Sequence, residues 1–352
     1  MTTSVALRAG IVGFGLAGRY FHAPLLQAAG FAIQGVVSSR VDEVRAVLPH
    51  STVVPTVEEL LQRNDVDLVV IASPNELHEA QASAALRAGK HVVVDKPLCT
   101  SATAARELAE LAESSGRCLA VFQNRRWDSD LLTVRRLIAD DRLGTINAWH
   151  ARWDRYRPVV AERWRERVQP GAGILFDLGS HLIDQVLAVL GPPDWIQADV
   201  FAQRSRAQVD DGFELLLGKG GVRITLGTSS LASDGGPRYR IHGSKASFVK
   251  HGLDVQEAQL RAGMAPTDAD FGVEPMAQWG RVTVGATGES AAVPAEQGRW
   301  LSFYEAVHHA IVTGDSPPVS AGEAALTLAV IEAAQRSSRE GRRVYLEEAV
   351  SG

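Results

Sequence analysis

Sulfur is scarce in this chain: 352 residues hold two cysteines and three methionines. Cys99 and Cys118 match neither a disulfide framework nor a metal-ligand spacing, which suits a reducing cytoplasm and gives no reason to expect a metal. Positive charge is not in excess either, since 36 Lys and Arg stand against 41 Asp and Glu for a formal net charge of -5. Without a net positive field to gather phosphates, a general nucleic-acid or membrane-surface binder is argued against. Long apolar runs are missing too. None approaches the length of a membrane span, and the first residues lack the basic, apolar and cleavage-site order of a secretory signal. What is present is 45% hydrophobic residues on a chain longer than one core usually covers, so two domains are expected.

The most telling stretch is HVVVDKPL, residues 91–98. Val92, Val93 and Val94 read as a strand buried on both faces, and the residues after such a strand stand at the carboxyl edge of a parallel sheet, where α/β proteins bind ligands. Lys96 at that edge is placed to polarise a reacting oxygen; by itself it is as readily a solvated surface lysine. Earlier in the chain, Gly13, Gly15 and Gly18 form a GxGxxG after an apolar run at 7–12. In that position glycines permit a tight turn, let backbone amides approach a pyrophosphate and let the following helix pack on the strand. An amphipathic segment at 18–29 and a second apolar strand at 31–37 complete the context of a dinucleotide site, with Phe14 and Leu16 inside the loop.

Ser38, Ser39 and Arg40 follow the second strand, where NAD sites usually carry a carboxylate. A carboxylate repels a ribose 2′-phosphate, whereas hydroxyls and a guanidinium bind it, so NADP is favoured and NAD is the alternative cofactor. The rhythm continues with a short strand near Val53 and another at 66–72. Ser73, Pro74 and Asn75 come next, beside the glycine loop and ahead of a helix carrying His78 in its first turn. The lysine strand, an alanine-rich helix at 101–115 and a strand at 118–122 finish a doubly wound domain, 1–122.

Beyond Phe122 the pattern changes. QNRRWD at 123–128 is too polar for a buried strand and opens a helix reaching about 139. Strands then follow at 146–153, 195–203, 213–217, 222–228, 238–242 and 247–250, joined by turns such as 218–221. This predicts an α+β domain, 123–352, with a large, mostly antiparallel sheet. Its apolar and aromatic face is expected to pair with a second copy of the chain, as a homodimer or homotetramer. Residues 257–296, rich in glycine, alanine and proline, read as a long excursion. Within this domain GAGILFDLGSHLIDQVLAVL, 171–190, reads as a glycine loop entering a buried helix. Asp177, His181 and Asp184 can share one helical face there. Histidine is the natural general base near neutral pH, and Asp177 can orient it or hold substrate; the alternatives are a capped helix with a satisfied core histidine, or a metal site with His150 or Asp154 added, though nothing here has the spacing of a known ligand set.

Taken together, the glycine fingerprint, an acidic-Lys-Pro motif after the fifth strand and a glycine-led D-x-G-x-H resemble the Gfo/Idh/MocA oxidoreductases over nearly the whole chain. GFGLAGRYFHAPLL, FQNRRWDSDLLTVRRL, RYRPVVAERWRE, FDLGSHLIDQ and PRYRIHGSKASF resemble the NADP-dependent branch acting on scyllo-inositol. The resemblance implies that Lys96 is the catalytic lysine ahead of a cis Pro97, and that Asp177 and His181 are the active-site acid and histidine. It places Trp164 and Arg165 near the nicotinamide. Asp95 stands where the family usually has glutamate. Asn124, Arg126, Tyr156 and Arg157, on segments expected near the substrate, join Lys96, Asp177 and His181 as substrate-contact candidates.

The expected reaction moves a hydride between a secondary alcohol of a cyclic polyol or sugar, scyllo-inositol above all, and NADP. His181 takes the hydroxyl proton and Lys96 stabilises the developing oxyanion. The rivals are an aldose or other carbonyl substrate for the same apparatus, and a nucleotide-sensing regulator without turnover. The proton-transfer residues argue against the last.

Overall fold

The computed structural model describes residues 6–162 and 166–350 and divides the chain into two units. The first takes the residues up to Asn124 together with Gln256–Phe271 and Arg299–Ala325. The second takes Arg125–Val255, Gly272–Gly298 and the residues from Leu326 on. The expected junction after Phe122 lies at the end of the first of these segments, and two later segments also belong to the first unit.

In the first unit six parallel strands are ordered β3-β2-β1-β4-β5-β6. They are β1 Arg8–Val12, β2 Ala32–Val37, β3 Thr52–Val54, β4 Leu68–Ile71, β5 His91–Asp95 and β6 Leu119–Phe122. All four residues of β4 and of β6 are buried, and β5 buries Val92 to Val94, the uninterrupted apolar pattern of strands covered on both faces. Local signals bound the crossover helices. Ser101 accepts from the Ala104 amide at 3.1 Å to start the helix Ala102–Ser115, and Gly116 stops it at φ 61°. The helix Leu301–Thr313 belongs to this unit for a packing reason. Phe303 and Tyr304 place their rings 5.0 and 5.8 Å from Phe122, and Trp300 stands 5.6 Å from Phe21.

The second unit is built on nine strands ordered β14-β13-β12-β11-β7-β10-β9-β8-β15. They are β7 Ile146–Arg152, β8 Trp195–Phe201, β9 Gly212–Lys219, β10 Val222–Ser229, β11 Tyr239–Gly243, β12 Ala246–Lys250, β13 Arg281–Val284, β14 Ser290–Ala292 and β15 Val344–Tyr345. β9 and β10 form a hairpin closed by Gly220 and Gly221, with Lys219 opposite Val222. The sheet is mostly antiparallel as expected, with one exception: β7 and β10 run parallel. β7 is followed by the helix Ser180–Leu190 rather than a hairpin, so it enters the sheet beside a strand distant in sequence. The predicted excursion at 257–296 contains structure, namely the short helix Gln256–Arg261 and the edge pair β13 and β14. On β8, the Ala198 and Val200 amides donate to the hydroxyls of Ser337 and Ser338, which satisfies backbone that β15 leaves uncovered.

Candidate active site

In the parallel sheet the strand order reverses between β1 and β4, and the glycine turn lies at that switch point. Gly13 has φ 91°, and a Cβ there would stand 2.6 Å from the Ala72 carbonyl oxygen, so both conformation and space demand glycine. A Cβ on Gly18 would collide with the Gly13 carbonyl, whereas one on Gly15 would meet nothing within 4 Å. The loop is closed at its two ends and open at its crest, which fits close approach of a dinucleotide pyrophosphate to the backbone and to the helix start at Leu16. Phe14 turns its ring into the core at 2% exposure, so any ligand contact it makes is through the backbone.

Two further loops join this edge. Ser73 donates to Gln81 at 2.6 Å, Pro74 caps the helix Asn75–Arg87, and Asn75 is buried. After β5 the Asp95 carboxylate accepts from the Lys96 amide at 2.9 Å, and the Lys96–Pro97 peptide is cis, as the resemblance implied. His78 ties the loops together. It is 1% exposed, with Nδ1 2.8 Å from the Pro97 carbonyl oxygen and Nε2 2.9 Å from that of Ser73. Both ring nitrogens thus face backbone carbonyl oxygens, the imidazole donating through a nitrogen that carries a proton, and the histidine sits between the loops that would hold a ligand. His22, beneath them, sets Nδ1 2.7 Å from the Tyr304 hydroxyl; burial lowers its pKa to about 4.

The second unit brings together a different set. The helical run begins with a wide turn at Leu175–Gly179 and continues as Ser180–Leu190, so Asp177, His181 and Asp184 lie on one run as expected. Their environments differ. Asp184 is buried and receives two hydrogen bonds from Arg126, at 2.7 and 2.8 Å, which commits both residues to the fold. His181, 6% exposed, stacks on Trp153 with ring centres 5.9 Å apart and planes at 30°. Arg125 and Arg238 lie over the same indole at 4.8 and 5.1 Å. Asp177 is more open. Its carboxylate faces Arg155 at 3.7 Å on a small cleft that Glu166, Arg204, Asp210 and Ser230 also line.

Asp210 organises the entry to that helical run. It accepts from the Leu175 amide at 2.7 Å, and a Cβ on Gly173, itself at φ 90°, would collide with its carboxylate. Burial pushes the Asp210 carboxyl up to about 6 against the opposing pull of that amide.

Of the remaining expected residues, Ser38 accepts from the Arg40 amide at 3.0 Å, Ser39 and Arg40 are exposed, and Asn124 is buried in a turn at Asn124–Trp127. Tyr156 is 61% exposed; Arg157 is exposed and its amide donates to the Ser230 carbonyl. Trp164 and Arg165 lie outside the described residues. The sequence reading missed Trp153, Arg155 and Asp210. The RYR string pointed to its second and third residues, but no spacing relates Arg155 or Asp210 to Asp177. Among the described residues no group of three or more His, Cys, Asp or Glu is placed to hold a metal ion, and no helix is long and apolar enough to cross a membrane.

A doubly wound sheet with a glycine turn at its switch point, joined in one chain to an α+β unit with an acid and a histidine on one helical run, defines a nicotinamide-dependent oxidoreductase. The chain belongs to the Gfo/Idh/MocA family. Residues 7–123 match its model for the oxidoreductase-family NAD-binding Rossmann fold, and residues 135–346 its C-terminal alpha/beta domain. The chain is 39% identical to scyllo-inositol 2-dehydrogenase (NADP(+)) IolW of Bacillus subtilis, over 97% of this chain and 96% of that protein. It is 38% identical to the uncharacterized oxidoreductase YdgJ of Escherichia coli, over 95% and 96%. The solved structure of the Bacillus subtilis oxidoreductase yvaA superposes with a TM-score of 0.95 at 38% identity, covering 98% of this chain and 99% of that one.

Proposed function

We propose that this oxidoreductase is an NADP-dependent dehydrogenase acting on a secondary alcohol of a cyclic polyol or sugar, with scyllo-inositol as the substrate supported best. The observation that carries the reading is the lining of the Asp177 cleft. There the partly exposed Asp177 and Arg155 present a carboxylate and a guanidinium, groups that hydrogen-bond the hydroxyls of a polyol ring, while Arg204 pairs with Glu166 and Asp211 and Asp210 accepts from the Leu175 amide behind them. The similarity to the NADP-dependent scyllo-inositol 2-dehydrogenase IolW supports the same substrate.

When bound, the nicotinamide supplies the hydride acceptor. His181 acts as general base on the substrate hydroxyl and returns the proton in the reverse direction. Lys96, at the carboxyl end of β5, stabilises the oxyanion that develops as the proton leaves. Asp177 holds a substrate hydroxyl. The glycine loop, Ser73–Asn75 and Asp95–Pro97 bind the dinucleotide, and Ser38, Ser39 and Arg40, with no carboxylate among them, favour the 2′-phosphate. In the same reading the chain assembles as a homodimer or homotetramer through the nine-stranded sheet, whose outer side exposes Leu216 and Tyr345, and works in the cytoplasm. Light scattering of the purified chain tests the assembly.

The deciding experiment measures initial rates of nicotinamide reduction with scyllo-inositol, myo-inositol and several aldoses, each against NADP and NAD. Saturable scyllo-inositol oxidation with NADP preferred is the expected result. Turnover confined to an aldose rejects the substrate and keeps the chemistry.

A further inference from the structure

Three charged side chains converge beside the Ser38–Arg40 turn, and only one of them stands in the cofactor motifs. Arg19, the residue after Gly18, reaches from the first turn of the glycine-loop helix to Glu43 Oε2 at 3.0 Å. Arg40 Nη1 approaches the same oxygen at 3.9 Å. The Arg40 backbone is tied back by its amide to Ser38 Oγ, and the Arg19 guanidinium lies over the Tyr20 ring at 5.0 Å. One carboxylate therefore sits between two guanidinium groups and leaves a net positive charge. All three side chains keep contact with solvent, at 34%, 56% and 44% exposure for Arg19, Arg40 and Glu43.

We infer that Arg19 and Arg40 together receive the 2′-phosphate of NADP, and that Glu43 is the internal anion which occupies those arginines until the phosphate displaces it. This rests on the NADP reading above and extends it to a second arginine and a competitor. A phosphate monoester carries close to two negative charges and three acceptor oxygens, so it neutralises both guanidinium groups where Glu43 neutralises one. Exchange is easy because an exposed ion pair in high dielectric contributes little to be lost. NAD offers a neutral hydroxyl at the same position and cannot compete for the arginines, which leaves Glu43 in place. Arg19 is thus a specificity-determining residue, set far from Arg40 in sequence and brought to it by the fold.

Calorimetric titration of the full chain with NADP and with NAD tests this on wild type, Arg19→Ala and Glu43→Gln. Binding is the readout, so the test is independent of turnover. Arg19→Ala is expected to weaken NADP by about tenfold or more, the scale of a lost charge-assisted contact, with NAD affinity within about twofold. The unchanged NAD affinity also shows that the variant is folded. Glu43→Gln removes both the competitor and its repulsion of the phosphate, and is expected to tighten NADP by roughly threefold to tenfold without moving NAD. A wild type that prefers NADP together with an Arg19→Ala variant of equal preference overturns the inference and leaves the cofactor reading standing. Weaker NADP binding by Glu43→Gln overturns the displacement role. A wild type without preference for NADP rejects the cofactor reading itself, and the inference falls with it.

Discussion

The two units make their chemical surfaces from different materials. In the first, the edge proposed to meet the cofactor is mostly backbone: a glycine turn, two strand-end loops and a histidine whose ring nitrogens both face backbone carbonyl oxygens. In the second, it is made of side chains held by other side chains. His181 stacks on Trp153, Trp153 lies under Arg125 and Arg238, and Gln185 accepts from both Arg238 and Tyr239. A backbone site serves a ligand part common to many enzymes, since amides and helix ends recognise phosphate whatever else is attached. A side-chain site can be respecified by single substitutions, which is where substrate choice belongs.

The sharpest way to test that contrast is to remove one proposed catalytic group from each unit. Lys96→Ala and His181→Ala are each expected to lower turnover by about 10²- to 10⁴-fold in steady-state assays. Nucleotide affinity should survive in His181→Ala, whose unit holds neither the glycine turn nor the loops after β4 and β5. Near-normal turnover in either variant breaks the assignment. On stability, Asp184→Ala removes the carboxylate that takes two hydrogen bonds from the buried Arg126 guanidinium and should cost about 3–5 kcal/mol in denaturant unfolding. The partly exposed Asp177 should cost far less on the same substitution, although the two carboxylates share one helical run.

Acidity separates the units by sign. His22 binds its proton less readily folded, at about 4, than unfolded, at 6.5, so its contribution to stability is complete above pH 6.5 and is lost as pH falls toward 4. Asp210 binds its proton more readily folded, at about 6, than unfolded, at 3.8, so its contribution is complete below 3.8 and is lost as pH rises through 6. Each amounts to about 3 kcal/mol, and over the shared range the two oppose. Thermal melts between pH 4 and 7 should show His22→Gln losing less stability than wild type on acidification and Asp210→Asn losing more. Parallel curves for all three proteins refute the pair. Gly13→Ala combines the strain of a positive φ with crowding against the Ala72 carbonyl, and is expected to cost at least about 1–3 kcal/mol, with nucleotide affinity reduced beyond what the altered melting temperature explains.

Much of the first unit can be read along the chain because its elements are local and periodic. Continuous β-branched runs mark doubly covered strands, GxGxxG marks the turn, and Ser101 and Gly116 bound their helix within a few residues of it. The site in the second unit yields less. Asp177 and His181 stand out by helical spacing, but the same spacing offers Asp184, and only Arg126, distant in sequence, shows that Asp184 is a structural anion. His78 is visible as a residue beside the loop, not as the bridge between Ser73 and Pro97. The residues after Glu296 present no motif, yet Trp300, Phe303 and Tyr304 supply aromatic packing to the first unit.

By itself, then, the sequence determined the alternation that builds a parallel sheet, the glycine turn at its switch point, the Lys-Pro edge after β5 and the acid and histidine of one helical run. All of these follow from backbone geometry and from contacts within a few residues. Tertiary structure alone decided that β7 runs parallel to β10, that Asp210 closes the entry of the His181 helix, and that Arg19 meets Arg40 across Glu43. Charge pairing and strand adjacency depend on which surfaces long-range packing brings together, and no local periodicity encodes that choice.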